Sequence, residues 1–143
     1  MEIFFTEQEK ANIVNAIKSA ELNTSGEIRL HVESKCKEDV LDRATHWFSK
    51  LDMHKTEQRN GVLFYLAVDD KKFAVIGDVG INVKVEDNFW NSIKDQIGKD
   101  FSEGKYSEGL IKGILSSGEQ LKNFFPCQSD DMNELSDEIS FGK

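Results

Sequence analysis

Gly61-Val62-Leu63-Phe64-Tyr65-Leu66-Ala67-Val68 is a continuous apolar run of strand length. A strand with no polar face is covered on both sides, so this segment reads as the central strand of a sheet. Asp69-Asp70-Lys71-Lys72 supplies a tight reversal, and Phe73-Ala74-Val75-Ile76 returns antiparallel. This hairpin anchors the fold. It delivers Gly77-Asp78-Val79-Gly80-Ile81 to the end of the returning strand. Glycine tolerates positive φ and close approach, while the strand fixes where the carboxylate points. Alone, the pattern also suits an ordinary turn, so its meaning depends on what arrives beside it.

Upstream, Glu27 to Glu33 alternates, with Ile28, Leu30 and Val32 on one side and Arg29, His31 and Glu33 on the other. Period two predicts a strand with one covered face. Thr6-Glu7-Gln8-Glu9 has the spacing of a capping box, and the helix behind it carries Ile13, Val14, Ala16, Ile17 and Ala20 as its stripe. Thr24-Ser25-Gly26 ends it. Asp39 caps a second helix with Val40, Ala44, Trp47, Phe48 and Leu51 inward, and a polar connection over 53–59 leads to the central strand. A third helix begins near Glu86 and buries Phe89, Trp90, Ile93, Ile97 and Phe101. The fourth runs from about Ser107 to Phe124 through Gly109, Gly113 and Gly118. Each glycine weakens it by about 1 kcal/mol against alanine, which predicts close packing there.

These elements predict an α/β protein: a three-layer α/β/α sandwich with a small mixed central sheet that includes the β-hairpin. Residues 1–125 form the domain, and 126–143 an acidic C-terminal tail partly packed on it. Leu135, Ile139 and Phe141 would clasp the domain, or the tail would present a short segment to a partner.

With 143 residues, the chain is long enough for one domain with a real core. Its 18 Lys and Arg against 26 Asp and Glu leave a formal charge of -8. That balance argues against nucleic acid, whose phosphates need a basic footprint, and favours a cation or a basic protein surface. Nothing approaches the roughly 18 to 20 apolar residues that cross a bilayer, so direct membrane insertion is not expected. Met1 to Phe5 lacks the basic n-region of a signal peptide. A soluble, cytoplasmic monomer is the expectation. Cys36 and Cys127, without a Cys-x-x-Cys pair, read as reduced thiols ahead of a disulfide.

The topology gives the glycine–aspartate motif its company. If the first strand and the central strand run parallel through a helical crossover, both start at one end of the sheet, and the hairpin partner finishes there. Glu27, Arg59, Asn60 and Asp78 then converge. Asp78, Glu27 and Asn60 are the candidate metal ligands, because carboxylate and amide oxygens suit Ca2+ or Mg2+. Asp78 and Arg59 are the candidate catalytic residues, the arginine holding a phosphate that the metal polarises. Each has a plainer role: Glu27 paired with Arg59, Asp78 capping the next turn or helix, Asn60 as a turn residue.

Other groups offer less. Asp69 and Asp70 suit a solvated turn or a second cation contact. His31, His46 and His54 lack zinc-site spacing, and Cys36 with His31 or His54 lacks an orienting third group. Neither a Gly-x-Ser-x-Gly elbow nor a Gly-x-Gly-x-x-Gly fingerprint is present. Trp47 and Trp90 fall on helical stripes and read as core.

In combination these motifs resemble the TPM domain family, which includes thylakoid-lumen, photosystem-repair and nematode receptor-associated members. The matching pieces are Phe5-Thr6-Glu7-Gln8-Glu9, Ala16-Ile17-Lys18-Ser19-Ala20-Glu21 and Thr24-Ser25-Gly26-Glu27-Ile28. Arg59-Asn60-Gly61-Val62-Leu63, Phe73 to Ile81, the Trp90 helix and Gly104-Lys105-Tyr106-Ser107-Glu108-Gly109-Leu110 complete them. The likeness spans roughly residues 4 to 125, and the ending from Asn133 to Phe141 looks like that of small, soluble bacterial members. The resemblance implies an α/β/α sandwich with an acidic cation site at one sheet end. Asp78 matches the family's glycine–aspartate motif and Glu27 its strand-leading glutamate. It also implies one of two roles: phosphatase activity, a plant member having been assigned acid phosphatase activity and this chain expected to show at most weak, metal-dependent phosphomonoester hydrolysis, or a non-enzymatic assembly or repair role. In the second, the acidic surface or the tail recognises a protein partner.

Overall fold

The computed structural model describes residues 4–22, 24–86, 88–126 and 139–142. Helix α1 (Glu7–Glu21) leads to β1 (Glu27–Glu33), α2 (Val40–Lys50), a 3-10 turn (Met53–Lys55), then β2 (Gly61–Ala67) and β3 (Lys72–Gly77). The short α3 (Val79–Asn82) precedes α4 (Phe89–Ser102), α5 (Tyr106–Phe124) and a last strand, β4 (Ser140–Phe141). The capping box of α1 is closed reciprocally: Glu9 N–H donates to Thr6 Oγ1 at 3.0 Å, and Thr6 N–H to Glu9 Oε1 at 2.9 Å. Asp39 Oδ1 caps α2 through Leu41 and Asp42 N–H.

The four strands lie in the order β3-β2-β1-β4. β1 and β2 run parallel with Glu27 opposite Gly61, and β3 returns antiparallel with Gly77 opposite Val62. β4 adds to the free side of β1, parallel, with Ser140 opposite His31. One face of the sheet (Ile28, Leu30, Val32, Val62, Phe64, Leu66, Val75) packs with Ile13 and Ile17 of α1, Ile97 of α4 and Ile114 of α5. The other (Tyr65, Ala67, Ala74) packs with Cys36 and with Ala44 and Trp47 of α2. The sheet is therefore the middle of three layers. Each fully buried aliphatic side chain contributes about 1.5–3 kcal/mol of transfer free energy.

β1 differs from its alternating pattern. Its polar side is also covered: His31 and Glu33 are buried beneath α2. Burial is tolerated because the charge is paired. Arg43 of α2 grips the Glu33 carboxylate through Nε at 2.9 Å and Nη2 at 2.7 Å, and the Tyr65 hydroxyl donates to it as well. Trp47 stacks on His31 with ring centroids 3.9 Å apart. Alternation here marks a polar face inside the protein, satisfied by its neighbours.

The glycines of α5 serve the close packing expected of them. A Cβ on Gly118 would lie 2.6 Å from that of Ala20, and one on Gly113 would lie 2.9 Å from Ile97 Cδ1. The helix thereby sits against the backbone of α1 at Gly118 with no room for a larger residue, and against the Ile97 side chain of α4 at Gly113. At its end, Thr24 Oγ1 donates to the Phe125 carbonyl, and Ser25 N–H donates to the same oxygen at 2.9 Å. These bonds tie the entry of β1 to the exit of α5. The sequence reading of Leu135 and Cys127 falls outside the described residues. Ile139 and Phe141 pack against the larger core.

Candidate functional site

The parallel crossover and the hairpin place Glu27, Gly61 and Asp78 in one row across three strands. Glu27 lies opposite Gly61, and Asp78 N–H donates to the Gly61 carbonyl at 2.9 Å. Residues in register share a face, so both carboxylates lie on the α2 side of the sheet, with a glycine between them. A Cβ on Gly61 would stand 2.9 Å from the Met53 carbonyl oxygen, which the 3-10 turn lays over that position. Asp78 and Glu27 are both buried.

Asp78 is held from two directions. Arg59 Nε donates to Oδ2 at 2.7 Å and Nη2 to Oδ1 at 2.8 Å, a forked pair. Oδ1 also accepts the Val79 N–H at 2.7 Å, so Asp78 is the N-cap of α3. The ion pair raises the Arg59 pKa still further, chiefly through this hydrogen bonding. Arg59 thus pairs with Asp78, where the sequence offered Glu27. The reason is the loop: Arg59 has φ +52°, and its carbonyl accepts Gly80 N–H at 2.9 Å, which brings its stem beside α3. Gly80 makes that approach feasible. A Cβ there would fall 2.1 Å from the Gln58 carbonyl oxygen and 2.5 Å from that of Arg59.

Asn60 faces a different neighbour. Its Nδ2 donates to Ser25 Oγ at 3.2 Å, and its N–H to Thr56 Oγ1 at 3.1 Å. Its Oδ1 is buried with no hydrogen-bond partner among the described residues. Gln58 Nε2 reaches the same Ser25 Oγ at 2.9 Å. The oxygen donors are of the hard type that Ca2+ and Mg2+ prefer. Among the described residues no three His, Cys, Asp or Glu side chains form a metal-binding group, so a site here would draw on Asn60 Oδ1 and backbone carbonyls.

On the other side of the Arg59–Asp78 pair lies an open groove of about 480 Å3. Phe48 and Trp90 give it apolar walls, Arg59 and Lys94 give it cationic groups, and His54 also lines it. Trp90 is fixed by its Nε1 bond to Asn82 Oδ1 at 2.9 Å, and Asn82 in turn donates to the Gly77 carbonyl. Gly77 admits the indole: a Cβ there would lie 2.4 Å from Trp90 Cζ2. Trp90 therefore belongs partly to this wall, and its stripe position alone does not reveal that.

At the far end of the sheet, Asp70 Oδ2 accepts the Cys36 N–H at 2.7 Å and closes the loop after β1. The turn acid has a structural partner there. Cys36 is a free, buried thiol whose Sγ contacts the Glu38 carbonyl. His31 Nδ1 pairs with Ser140 Oγ at 2.9 Å.

A model of the TPM domain matches residues 2–120. The chain belongs to the TPM domain family. Among solved structures, this TPM domain is similar to the BA42 protein of the psychrophilic bacterium Bizionia argentinensis, at 46% identity and a TM-score of 0.90. That match covers 97% of this chain and 96% of the other. The fold recurs in the N-terminal domain of the cg2496 protein of Corynebacterium glutamicum, at 12% identity and TM-score 0.68, covering 90% and 80% of the two chains. It recurs again in an N-terminal domain from P. gingivalis, at 17% identity and TM-score 0.67, covering 83% and 77%. No curated protein matches. None of the described helices is long and apolar enough to cross a membrane.

Proposed function

We propose that this TPM domain binds a divalent cation, Ca2+ or Mg2+, at the Glu27–Asp78 end of the sheet, with weak phosphomonoester hydrolysis as its activity. The observation that carries this reading is the buried Asn60 Oδ1, which lacks a partner among the described residues, on a residue whose carbonyl accepts the Glu27 N–H at 3.3 Å and which precedes Gly61 of the sheet-end row. An unpaired buried oxygen costs about 1–3 kcal/mol, a penalty that a bound cation would offset. Asp78, Glu27 and Asn60 would hold the ion. When bound, it supplies Lewis acidity toward a phosphoryl oxygen and a water of lowered pKa. Arg59 would neutralise charge developing on the phosphate, and Asp78 or Glu27 would orient water. A reduced, cytoplasmic setting goes with this reading, in keeping with the free Cys36 thiol.

The forked Arg59–Asp78 pair favours one alternative. An arginine that occupies both carboxylate oxygens is also what a structural pin looks like, and the domain would then be an accessory module that recognises a protein partner. Magnesium titration followed by nuclear magnetic resonance separates the two. Under the cation reading, Glu27, Asn60 and Asp78 signals move together, and turnover of an aryl phosphate falls in Asp78→Asn. Shifts confined to other residues would sink the site, and turnover untouched by Asp78→Asn would remove the hydrolase.

A further inference from the structure

We propose that Arg59 is the resident counter-ion of the Asp78 carboxylate. A divalent cation must displace it, and the displaced guanidinium then completes an oxyanion subsite in the adjoining groove. The inference rests on the cation reading above and assigns that site an order of binding.

The Asp78 carboxylate is 4% exposed and already accepts three hydrogen bonds, two from Arg59 and one from Val79 N–H. An ionised carboxylate offers about four lone-pair sites, and a guanidinium across two of them repels a second cation at the same oxygens. Arg59 and a metal ion are therefore competitors. Only the side chain of Arg59 is free to yield. Its carbonyl is fixed by Gly80 N–H, and its backbone lies against a glycine with no space for a Cβ. Its side chain is 48% exposed and borders the groove.

That groove is where the charge would go. Among the described residues Asp78 is the only acid lining it, against the cationic Arg59 and Lys94. Lys94 enters no ion pair among the described residues. With a cation on Asp78, the groove loses that negative charge and gains a freed, five-donor guanidinium. A locally cationic groove on a chain of net charge -8 calls for an anion. The guanidinium fork and the ammonium suit a tetrahedral oxyanion, either free phosphate or the phosphate of an ester. Phe48 and Trp90 supply apolar wall for the organic part of an ester.

The coupling is reciprocal: if magnesium tightens phosphate, phosphate must tighten magnesium by the same factor. The test uses the full chain, magnesium chloride and inorganic phosphate, followed by nuclear magnetic resonance. In the wild-type protein, magnesium should shift the Arg59 Nε–H signal together with Val79 and Gly80 N–H. Arg59→Gln should bind magnesium about tenfold more tightly, with Arg59→Lys in between. At fixed free magnesium, phosphate affinity should rise at least about fivefold over the magnesium-free protein, and this gain should vanish in Arg59→Gln. Phenyl phosphate binding more tightly than phosphate would mark an ester as the ligand; equal binding would mark free phosphate, and either result supports the subsite. Equal magnesium affinity in all three proteins, with Glu27 and Asn60 shifting and Arg59 Nε–H still, overturns the competition and leaves the cation site standing. No magnesium-dependent shift in wild type or Arg59→Gln overturns both.

Discussion

At one end of the sheet Arg43 grips Glu33, and at the other Arg59 grips Asp78. Both grips are forked, with donor–acceptor distances between 2.7 and 2.9 Å. Their settings differ. Both carboxylates are buried and accept a third bond. For Glu33 the third donor is the buried Tyr65 hydroxyl, and Gly142 overlies Glu33, where a Cβ would come within 2.8 Å of Oε1. For Asp78 the third donor is the Val79 N–H. Asp78 faces an open groove through an arginine that is half in solvent. The same pair of functional groups is therefore a closed structural joint in one place and a replaceable contact in the other. Burial of the arginine, rather than the geometry of the pair, makes the difference.

The comparison is easiest to break at the closed end. Glu33→Ala leaves Arg43 and the Tyr65 hydroxyl without their shared acceptor inside the protein. Removing one partner of a buried pair costs about 3–5 kcal/mol. Urea unfolding should show this as a marked fall in midpoint with the slope retained. A loss under about 1 kcal/mol would mean that the joint is no more structural than a surface pair.

Acid should find the same end next. Burial beneath Trp47 and Tyr65 lowers the His31 pKa from 6.5 to about 4, with Arg43 and Arg29 adding to the effect and Glu33 opposing it. Burial alone would raise the Glu33 pKa, but the bonds from Arg43 and Tyr65 outweigh it and hold the carboxyl below its ordinary range. A depressed folded-state pKa contributes stability above the unfolded value, and this is lost as pH falls toward the folded one. For His31 the window runs from pH 6.5 down to about 4, with a total of roughly 3 kcal/mol. His31→Phe should flatten the profile across that window. A wild-type stability unchanged between pH 7 and 4 would contradict the buried, neutral imidazole.

Much of this architecture was legible because it derives from spacing. The hairpin, the capping box at Thr6 and the α2 cap at Asp39 emerge within a residue or two of their expected places. That Glu27 and Asp78 come to one end of the sheet followed from topology alone. What escaped was pairing. Arg59 had two carboxylates within reach of its strand end, and the choice of Asp78 depends on a positive φ and a loop-to-glycine contact that no periodicity encodes. The buried polar joint escaped too, since Arg29, His31 and Glu33 alternate as a solvent face does. Arg43 lies one helical turn after Asp39 and three residues after Val40, a position that could have hinted at a partner for Glu33. Neither residue identifies the other without the crossover geometry.

The smallest expected effect lies at the open end, and its smallness is the point. Asp78→Asn keeps a side-chain oxygen that can accept Val79 N–H, since asparagine caps helices about as well as aspartate. What it loses is the charge opposite Arg59, and pairs with a solvent-exposed partner are worth about 0–1 kcal/mol. Unfolding free energy should therefore drop by about 1 kcal/mol or less, a small fraction of the Glu33→Ala loss. The same substitution should abolish the magnesium response of the Glu27 and Asn60 signals. A large stability loss in Asp78→Asn would make the two ends of the sheet equivalent joints, and the exposed arginine would then have to be explained as structure. A small loss accompanied by a lost response separates them: at that end the carboxylate is buried for what it can bind, and the fold scarcely depends on its charge.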